Sequence, residues 1–353
     1  MKDKIIYTTD NKNKEHFKFF SVENKTKDNK KYYKTITILG IKISFRNKRK
    51  ERREEINNLN MKIEELKRNC IYKIHKYCSE EKRAEALKDW YFEHTGEKLN
   101  LENPKTFNEK IQWLKLYDST PEKTRLADKY LVRDWVKEKI GEEYLIPLLG
   151  VWDKFDDINF DELPKQFVLK CNHGSGYNII VKDKSKLDIE DARKKINKWL
   201  NEDFAFKGFE MHYSSIQRKI IAEKYIENDN NDLYDYKFWC FDGKMKYIQF
   251  LSERNTDGLK MAFYDKDWNK QNFVYSHPMD TKIITKPDNL DTMIQLAEKL
   301  ASGMNHVRVD FYRLNNGIIY FGEMTFTSCS GVCKFNPEIA NLQLGNLIKL
   351  SKK

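Results

Sequence analysis

Through residues 80–139 apolar side chains recur every three or four positions. They do so in EEKRAEALKDWYFEHTG, NPKTFNEKIQWLKLYD and TPEKTRLADKYLVRDWVKEKIG. That spacing lays one apolar stripe along a helix, so the stretch is expected to be helical. Asn103-Pro104 and Thr120-Pro121 mark helix starts, and Gly96 and Gly141 mark stops. After EYLIPLLGVW the pattern changes to short alternating or apolar runs bounded by glycine and asparagine: FVLKC, NIIV, IIAEKYI, DYKFWCF, HVRVDFYR and IIYFGEMTF. A further helical stretch with Trp199, Phe204 and Phe206 as core falls between residues 182 and 217, and NPEIANLQLGNLIKL is expected to be a closing helix whose Leu and Ile residues cover the sheet. Near the other end, KTITILGIKISF predicts a small hairpin about Leu39-Gly40. The helix NKRKERREEINNLNMKIEELKRN follows, with a short seam of Ile56, Leu59, Ile63 and Leu66. Helices and antiparallel hairpins in separate stretches argue for an α+β fold.

Four segments built from these runs carry chemistry. Side chains alternate along a strand, so Arg308 and Asp310 share a face, and the turn Leu314-Asn315-Asn316-Gly317 can bring Glu323 back beside Asp310. Two hard carboxylate ligands suit Mg2+, which takes one or two carboxylates together with substrate phosphates. The alternative is a buried salt bridge on an ordinary hairpin. In FVLKCNHGSGYNIIV the glycines let backbone approach a phosphate, and Lys170 ends the strand before them. A single Gly-x-Gly turn also serves merely to reverse the chain. In IIAEKYI the charged pair Glu223-Lys224 interrupts an apolar strand, and burying it requires a compensating partner such as an adenine edge. Lys237 alternates with Trp239 and Phe241 on one face of DYKFWCF, with Tyr236, Phe238 and Cys240 on the other. It is either a phosphate-facing lysine or one snorkelling past core rings. Asp242-Gly243 is a hairpin turn.

Taken in order from residue 105 to residue 348, KTFNEKIQWLKLYD, LADKYLVRDWV, EEYLIPLLGVW, LKCNHGSGYN, EKYI, DYKFWCFDGK, RVDFY and FGEMTF resemble the ATP-grasp superfamily. More narrowly they resemble its TupA-like branch of cell-surface polysaccharide biosynthesis. The resemblance implies two nucleotide-gripping lobes, with ATP and Mg2+ as cofactors. It assigns Lys170 to the ATP phosphates and residues 173–177 (His173, Gly174, Ser175, Gly176 and Tyr177) to the loop that closes over them. Glu223, Lys224 and Ile226 fall at the hinge that holds adenine. Arg308 falls at a phosphate contact, with Lys237 as a second cation facing the phosphates. Asp310 and Glu323 fall at the metal. The family's usual asparagine is Thr325 here, which puts the third metal ligand in doubt, although a hydroxyl still offers one neutral oxygen. Glu227, Asp229 and Asp232 compete for a ribose-binding role. His173 is equally readable as a loop cap. Cys171 reads as a small buried thiol rather than a nucleophile, and Asp128-Lys129 as part of a solvated helix face rather than a substrate contact. Arg218 is a further candidate for a phosphate or an acidic substrate.

The implied activity is a carboxylate–amine ligase that activates a carboxylate as an acyl phosphate and joins it to an amine or amino acid, with a uronic acid-type sugar as the carboxylate. Two other classes stay open. A glycosyltransferase acting on a nucleotide sugar calls for an Asp-x-Asp pattern, and Asp265-x-Asp267 is isolated in a segment that reads as a turn. A nucleotide-binding scaffold would not need Lys170, Asp310 and Glu323.

Charge sharpens the domain picture. Residues 1–75 hold 21 Lys/Arg against 10 Asp/Glu, so they carry the whole net charge of +11. They read as a basic extension, followed by a helical region at 76–145 and an ATP-grasp body at 146–353, itself divided into a glycine-loop lobe at 146–226 and a metal-binding lobe at 227–353. A basic arm of this kind suits an anionic membrane surface or polysaccharide-synthesis enzymes as partner, or is simply solvated. No nucleic-acid motif accompanies it. No run of 18 apolar residues occurs, and the N-terminus lacks an apolar core of signal-peptide length, so a cytoplasmic protein, peripheral on the membrane at most, is expected. The six cysteines form no C-x-x-C pair and read as reduced thiols.

Overall fold

The computed structural model describes residues 20–27, 31–38, 41–45, 51–227, 233–252, 259–282 and 284–351. The chain divides into two units, Met1–Lys73 and Ile74–Lys353. In the first, β1 (Phe20–Lys27), β2 (Lys31–Ile38) and β3 (Ile41–Phe45) form an antiparallel sheet in that order. The expected hairpin is β2–β3, with Ile38 opposite Ile41. The additional strand β1, FSVENKTK, has only two apolar residues in eight, too few to show a period. Helix α1 (Glu51–Tyr77) runs past the expected segment, and within its seam Leu66 is exposed.

In the second unit the chain opens with α2 (Glu80–Thr95), α3 (Phe107–Tyr117), α4 (Pro121–Ala127) and α5 (Val132–Lys139). At α3 and α4 a threonine side chain that accepts from a free N–H of the first turn sets the start. Thr120 caps α4 with Pro121 next, as expected, and Gly96 ends α2 in the left-handed region. Helix α3 does not start at Asn103-Pro104. It starts after Thr106, which forms a reciprocal capping box with Glu109.

Two antiparallel sheets follow. Strands β4 (Leu148–Trp152), β5 (Phe167–Cys171), β6 (Asn178–Val181) and β7 (Ile220–Lys224) make a sheet of order β4-β7-β5-β6, with α6 (Ile189–Asn201) and the single turn α7 (Ala205–Gly208) between β6 and β7. Phe167, Leu169, Cys171 and Val181 of this sheet pack with Ala192 and Ile196 of α6. The larger sheet has order β10-β9-β8-β12-β13, from β8 (Tyr234–Phe241), β9 (Lys244–Ser252), β10 (Lys260–Tyr264), β12 (His306–Arg313) and β13 (Ile319–Thr325). The short strands β11 (Val274–Tyr275) and β14 (Phe335–Asn336) pair with each other, and α8 (Leu290–Leu300) and α9 (Ile339–Leu347) complete the unit.

The alternation in β8 separates two cores. Tyr236, Phe238 and Cys240 join Val307, Val309 and Phe311 under Leu290, Met293 and Leu300 of α8. Trp239 and Phe241 join Leu87, Tyr91, Phe107 and Ile111 of α2 and α3. Each fully buried ring contributes about 1.5–3 kcal/mol by leaving water, so both sheet faces are strongly committed. The closing helix does less covering than expected: Ala340 and Leu344 are buried, but Ile339 and Leu342 are exposed. It lies against the start of α3, where a Cβ on Gly345 would collide with the Lys105 carbonyl oxygen.

Candidate active site

Antiparallel register builds the first half of the site. Asp310 on β12 stands opposite Glu323 on β13 and opposite Lys237 on β8, so three charged residues form one row across three strands. Arg308, two residues along β12 and therefore on the same face, faces Thr325. Its guanidinium donates from Nε and Nη2 to both Asp310 oxygens at 2.7 Å and from Nη2 to Glu323 Oε1 at 3.0 Å. Lys237 Nζ lies 2.5 Å from Asp310 Oδ2 and 2.9 Å from Asp235. Thr325 Oγ1 donates to Glu323 Oε1 at 3.1 Å.

The two carboxylates differ in access. Asp310 is 3 % exposed and fully engaged. Burial pushes its carboxyl upward, against the pull of Arg308 and Lys237. Glu323 keeps 35 % of its side chain exposed. Burial acts upward on it too, but Lys129, Arg308 and Lys237 outweigh that effect and hold it down at about 2.

The second half is the β5–β6 hairpin with β7 beside it. Lys170 Nζ pairs with Glu223 Oε2 at 2.5 Å, and Arg133 of α5 donates to Glu223 Oε1 at 3.2 Å. Glu223 is thus buried with two cations, and Lys224 points to solvent while its N–H donates to the Pro147 carbonyl at 2.9 Å. Ile226 is half-buried just beyond the strand. Of the ribose candidates, Glu227 accepts from the Tyr225 hydroxyl at 2.9 Å, while Asp229 and Asp232 lie outside the described residues.

The glycine loop has anchored shoulders and an open tip. His173 is buried and Nε2 donates to the Trp199 carbonyl at 3.0 Å. Tyr177 stacks on Trp199 and donates to Glu202 at 2.6 Å. Gly174 is packed so closely that a Cβ would lie 2.7 Å from the Tyr177 ring. Ser175 and Gly176 form the exposed tip, and Gly176 has φ 75° with open space where a Cβ would go. There the backbone is open to solvent.

Lys129 joins the two halves. Its Nζ donates to the Gly174 carbonyl at 2.5 Å, and its charge interacts with Glu323, Lys170 and Glu223. Burial lowers its pKa. Beside it, Asp128 Oδ1 accepts from Asn172 Nδ2 at 2.9 Å, pinning the start of the loop. Read in the sequence as a solvated face, this pair instead sits in the loop after α4, inside the site.

Other sequence candidates fall elsewhere. Arg218 donates to the Leu200 carbonyl at 2.7 Å. Burial pushes the Cys171 thiol up to about 12, which leaves it unreactive. Asp265 closes its own turn, accepting from the N–H groups of Asp267 and Asn269 at 2.9 and 2.8 Å.

Glu323 and the Thr325 hydroxyl, both oxygen ligands, fit Mg2+ in the company of phosphates, and Asp310 joins them on releasing a hydrogen bond from Arg308 or Lys237. Among the described residues no cluster of three or more His, Cys, Asp or Glu forms a metal cage by itself. Nearby, Lys129 and Lys170 offer the cationic surroundings that a polyphosphate needs.

Among solved structures, similarity runs to N5-carboxyaminoimidazole synthetase from Staphylococcus aureus, with 13% identity over 57% of this chain and 44% of that one and a TM-score of 0.34. It also runs to D-alanine–D-alanine ligase from Bacillus anthracis complexed with ATP, with 17% identity, 57% and 55% coverage and a TM-score of 0.36. A third is the ADP complex of an N5-carboxyaminoimidazole ribonucleotide synthetase, with 12% identity, 70% and 57% coverage and a TM-score of 0.39. The chain spans about half the length of these structures. No curated protein matches the sequence. The sequence matches the TupA-like ATP-grasp family over residues 109–349, a span that contains the charged row on β8, β12 and β13, the glycine loop and Lys129, and the chain belongs to that family, with its α+β ATP-grasp fold.

Proposed function

We propose that this chain is an ATP- and Mg2+-dependent ligase that joins an amine or amino acid to a carboxylated, uronic acid-type sugar during surface polysaccharide synthesis. The observation that carries the reading is Lys129, a half-buried cation that bonds the glycine loop at Gly174 and interacts with Glu323 of the carboxylate row. ATP, when bound, supplies the phosphoryl group that turns the carboxylate into an acyl phosphate, from which an amine displaces phosphate to leave an amide. Lys129 and Lys170 offset phosphate charge, and Asp310, Glu323 and Thr325 hold Mg2+. Arg308, which bonds both carboxylates, and Lys237, which bonds Asp310, fix their direction. Glu223, with the backbone near Lys224 and Ile226, receives the adenine edge. The basic segment 1–75 would bring the enzyme to an anionic membrane surface or to partner enzymes, and no helix among the described residues is long and apolar enough to cross a membrane.

Calorimetric titration with ATP–Mg2+, with UDP-sugars as competitors, tests this reading. Binding of ATP that requires Mg2+ and is lost in Glu323→Ala is the expected result. Binding of a UDP-sugar without ATP would replace the ligase with a glycosyltransferase.

A further inference from the structure

One further carboxylate meets the chain just beyond the carboxylate row, and no cation touches it. Asp310, Glu323 and Glu223 are each held by ion pairs, with Arg308, Lys237, Lys170 and Arg133. Glu210, which follows α7, is bonded by hydroxyls instead: Thr327 donates to Oε2, and Ser330 donates to Oε1 at 3.2 Å. Among the described residues it forms no ion pair.

The turn after β13 sets the direction of this carboxylate. Cys329 (φ 53°), Ser330 (φ 50°) and Gly331 (φ 64°) are successive left-handed residues. A Cβ disfavours that conformation, so neighbours must hold the turn. Lys115 of α3, fully buried, uses all three of its protons near it. It donates to the Ser330 carbonyl at 2.7 Å, to the Ser330 hydroxyl at 3.0 Å and to Gln112 Oε1 at 2.9 Å. Because the Ser330 oxygen accepts from Lys115, its own proton is directed at Glu210. Gln112 in turn donates to the Gly331 carbonyl at 2.7 Å. Gly208 lets α7 come this close, since a Cβ there would lie 2.5 Å from the Ser330 hydroxyl.

Strand alternation ties the group to the row. Met324 and Phe326 are buried in the core with α8, which puts Glu323, Thr325 and Thr327 on the opposite side, with the row. Four residues of extended chain span at most about 13 Å, so Glu210 lies within a substrate's length of Glu323. Glu210 and Ser330 are half-buried and Cys329 beside them is exposed, so solvent reaches the group. A carboxylate oxygen accepts two hydrogen bonds, which leaves one lone pair on each oxygen of Glu210.

We propose that Glu210 binds the acceptor of the ligase reaction by its primary ammonium group, with Thr327 and Ser330 aiming the carboxylate and Lys115 holding the turn. The identification of that ammonium with the acceptor rests on the ligase reading. An ammonium brings three donors to the two open lone pairs and a positive charge to the one carboxylate that lacks a contact cation. Burial pushes the Glu210 carboxyl upward, against the pull of Lys115, and a cation in contact offsets that effect. An N-acylated amine brings no charge and only one donor, so the site should refuse it.

The test is saturation-transfer NMR and calorimetry on the full chain, with and without ATP–Mg2+. The probes are the proteinogenic amino acids, each beside its N-acetyl derivative. At least one free amino acid should bind at millimolar concentration while its N-acetyl derivative does not. Glu210→Gln should weaken that binding by about ten- to a hundredfold, the effect of one charge-assisted hydrogen bond, and leave ATP–Mg2+ affinity at the parental value. Should this variant not fold, a crystal structure of the parent with the bound amino acid decides, by whether the ligand nitrogen lies against Glu210. Equal binding of the N-acetyl derivative, undiminished binding in Glu210→Gln, or no binding of any amino acid would each overturn the proposal. Glu210-dependent amino-acid binding by a chain that binds no ATP–Mg2+ would support the ammonium site and overturn the ligase reading.

Discussion

Asp310 and Glu323 face each other across β12 and β13 and share one guanidinium, that of Arg308, yet only Glu323 is open to solvent. The two carboxylates therefore differ in what their loss does. Removing Asp310 leaves Arg308 with Glu323 alone and Lys237 with Asp235 alone, two buried cations for which it was the shared partner, and a broken buried pair costs up to about 3–5 kcal/mol. Asp310→Ala should lower the Tm markedly, whereas Glu323→Ala should leave it nearly unchanged while abolishing Mg2+-dependent ATP binding. Thermal unfolding and calorimetry on both variants check this. Equal Tm losses would mean that Asp310 does not hold the row together.

Lys129 supplies the second test. Lys129→Met keeps the length of the stem but removes the charge shared by Gly174, Glu323 and Glu223. One lost charge-assisted hydrogen bond is worth roughly 1.5–3 kcal/mol, so ATP–Mg2+ affinity should fall by about ten- to a hundredfold. Lys129→Arg should recover part of it. An unaltered affinity in Lys129→Met would remove this residue from the nucleotide site.

How far the sequence discloses this site depends on how local each cause is. The Asp310–Glu323 pairing is legible because strand alternation and a short turn together fix which side chains meet. The two faces of β8 are legible for the same reason. Lys129 is not, because its partner Gly174 lies 45 residues away and a lone lysine after a helix looks solvated. The start of α3 was open to reading, since Thr106 and Glu109 have capping-box spacing, but Pro104 gives a more conspicuous signal nearby. The burial of Lys115 under Ser330 is a tertiary event with no local signature.

Gly345 is a third test, and a purely steric one. A methyl group there would meet the Lys105 carbonyl oxygen and the Thr106 backbone, neither of which can swing aside. Overpacking of this kind costs about 1–3 kcal/mol. Gly345→Ala should therefore lower the Tm and loosen α9 from α3, visible as faster amide exchange in both helices. Unchanged exchange would show that the two helices have room to part.

Acid stability provides the last test. His212 and His306 are buried, and burial brings both down to about 3 from an ordinary value of 6.5. The two rings are neutral in the folded chain, and His306 bonds the Cys240 carbonyl at 3.0 Å through Nδ1. Between pH 6.5 and about 3 the unfolded chain binds protons at these rings and the folded chain does not. Their contribution to stability is therefore complete above pH 6.5 and is lost as the pH falls through that window. Each ring adds at most about 1.4 kcal/mol per pH unit to the slope. Denaturant midpoints measured from pH 7 down to pH 5 should fall, and His306→Asn should fall less steeply than the parent whatever its starting stability. Parallel slopes would mean that His306 titrates alike in both states, which a ring enclosed by Phe107, Trp239 and Phe241 cannot readily do.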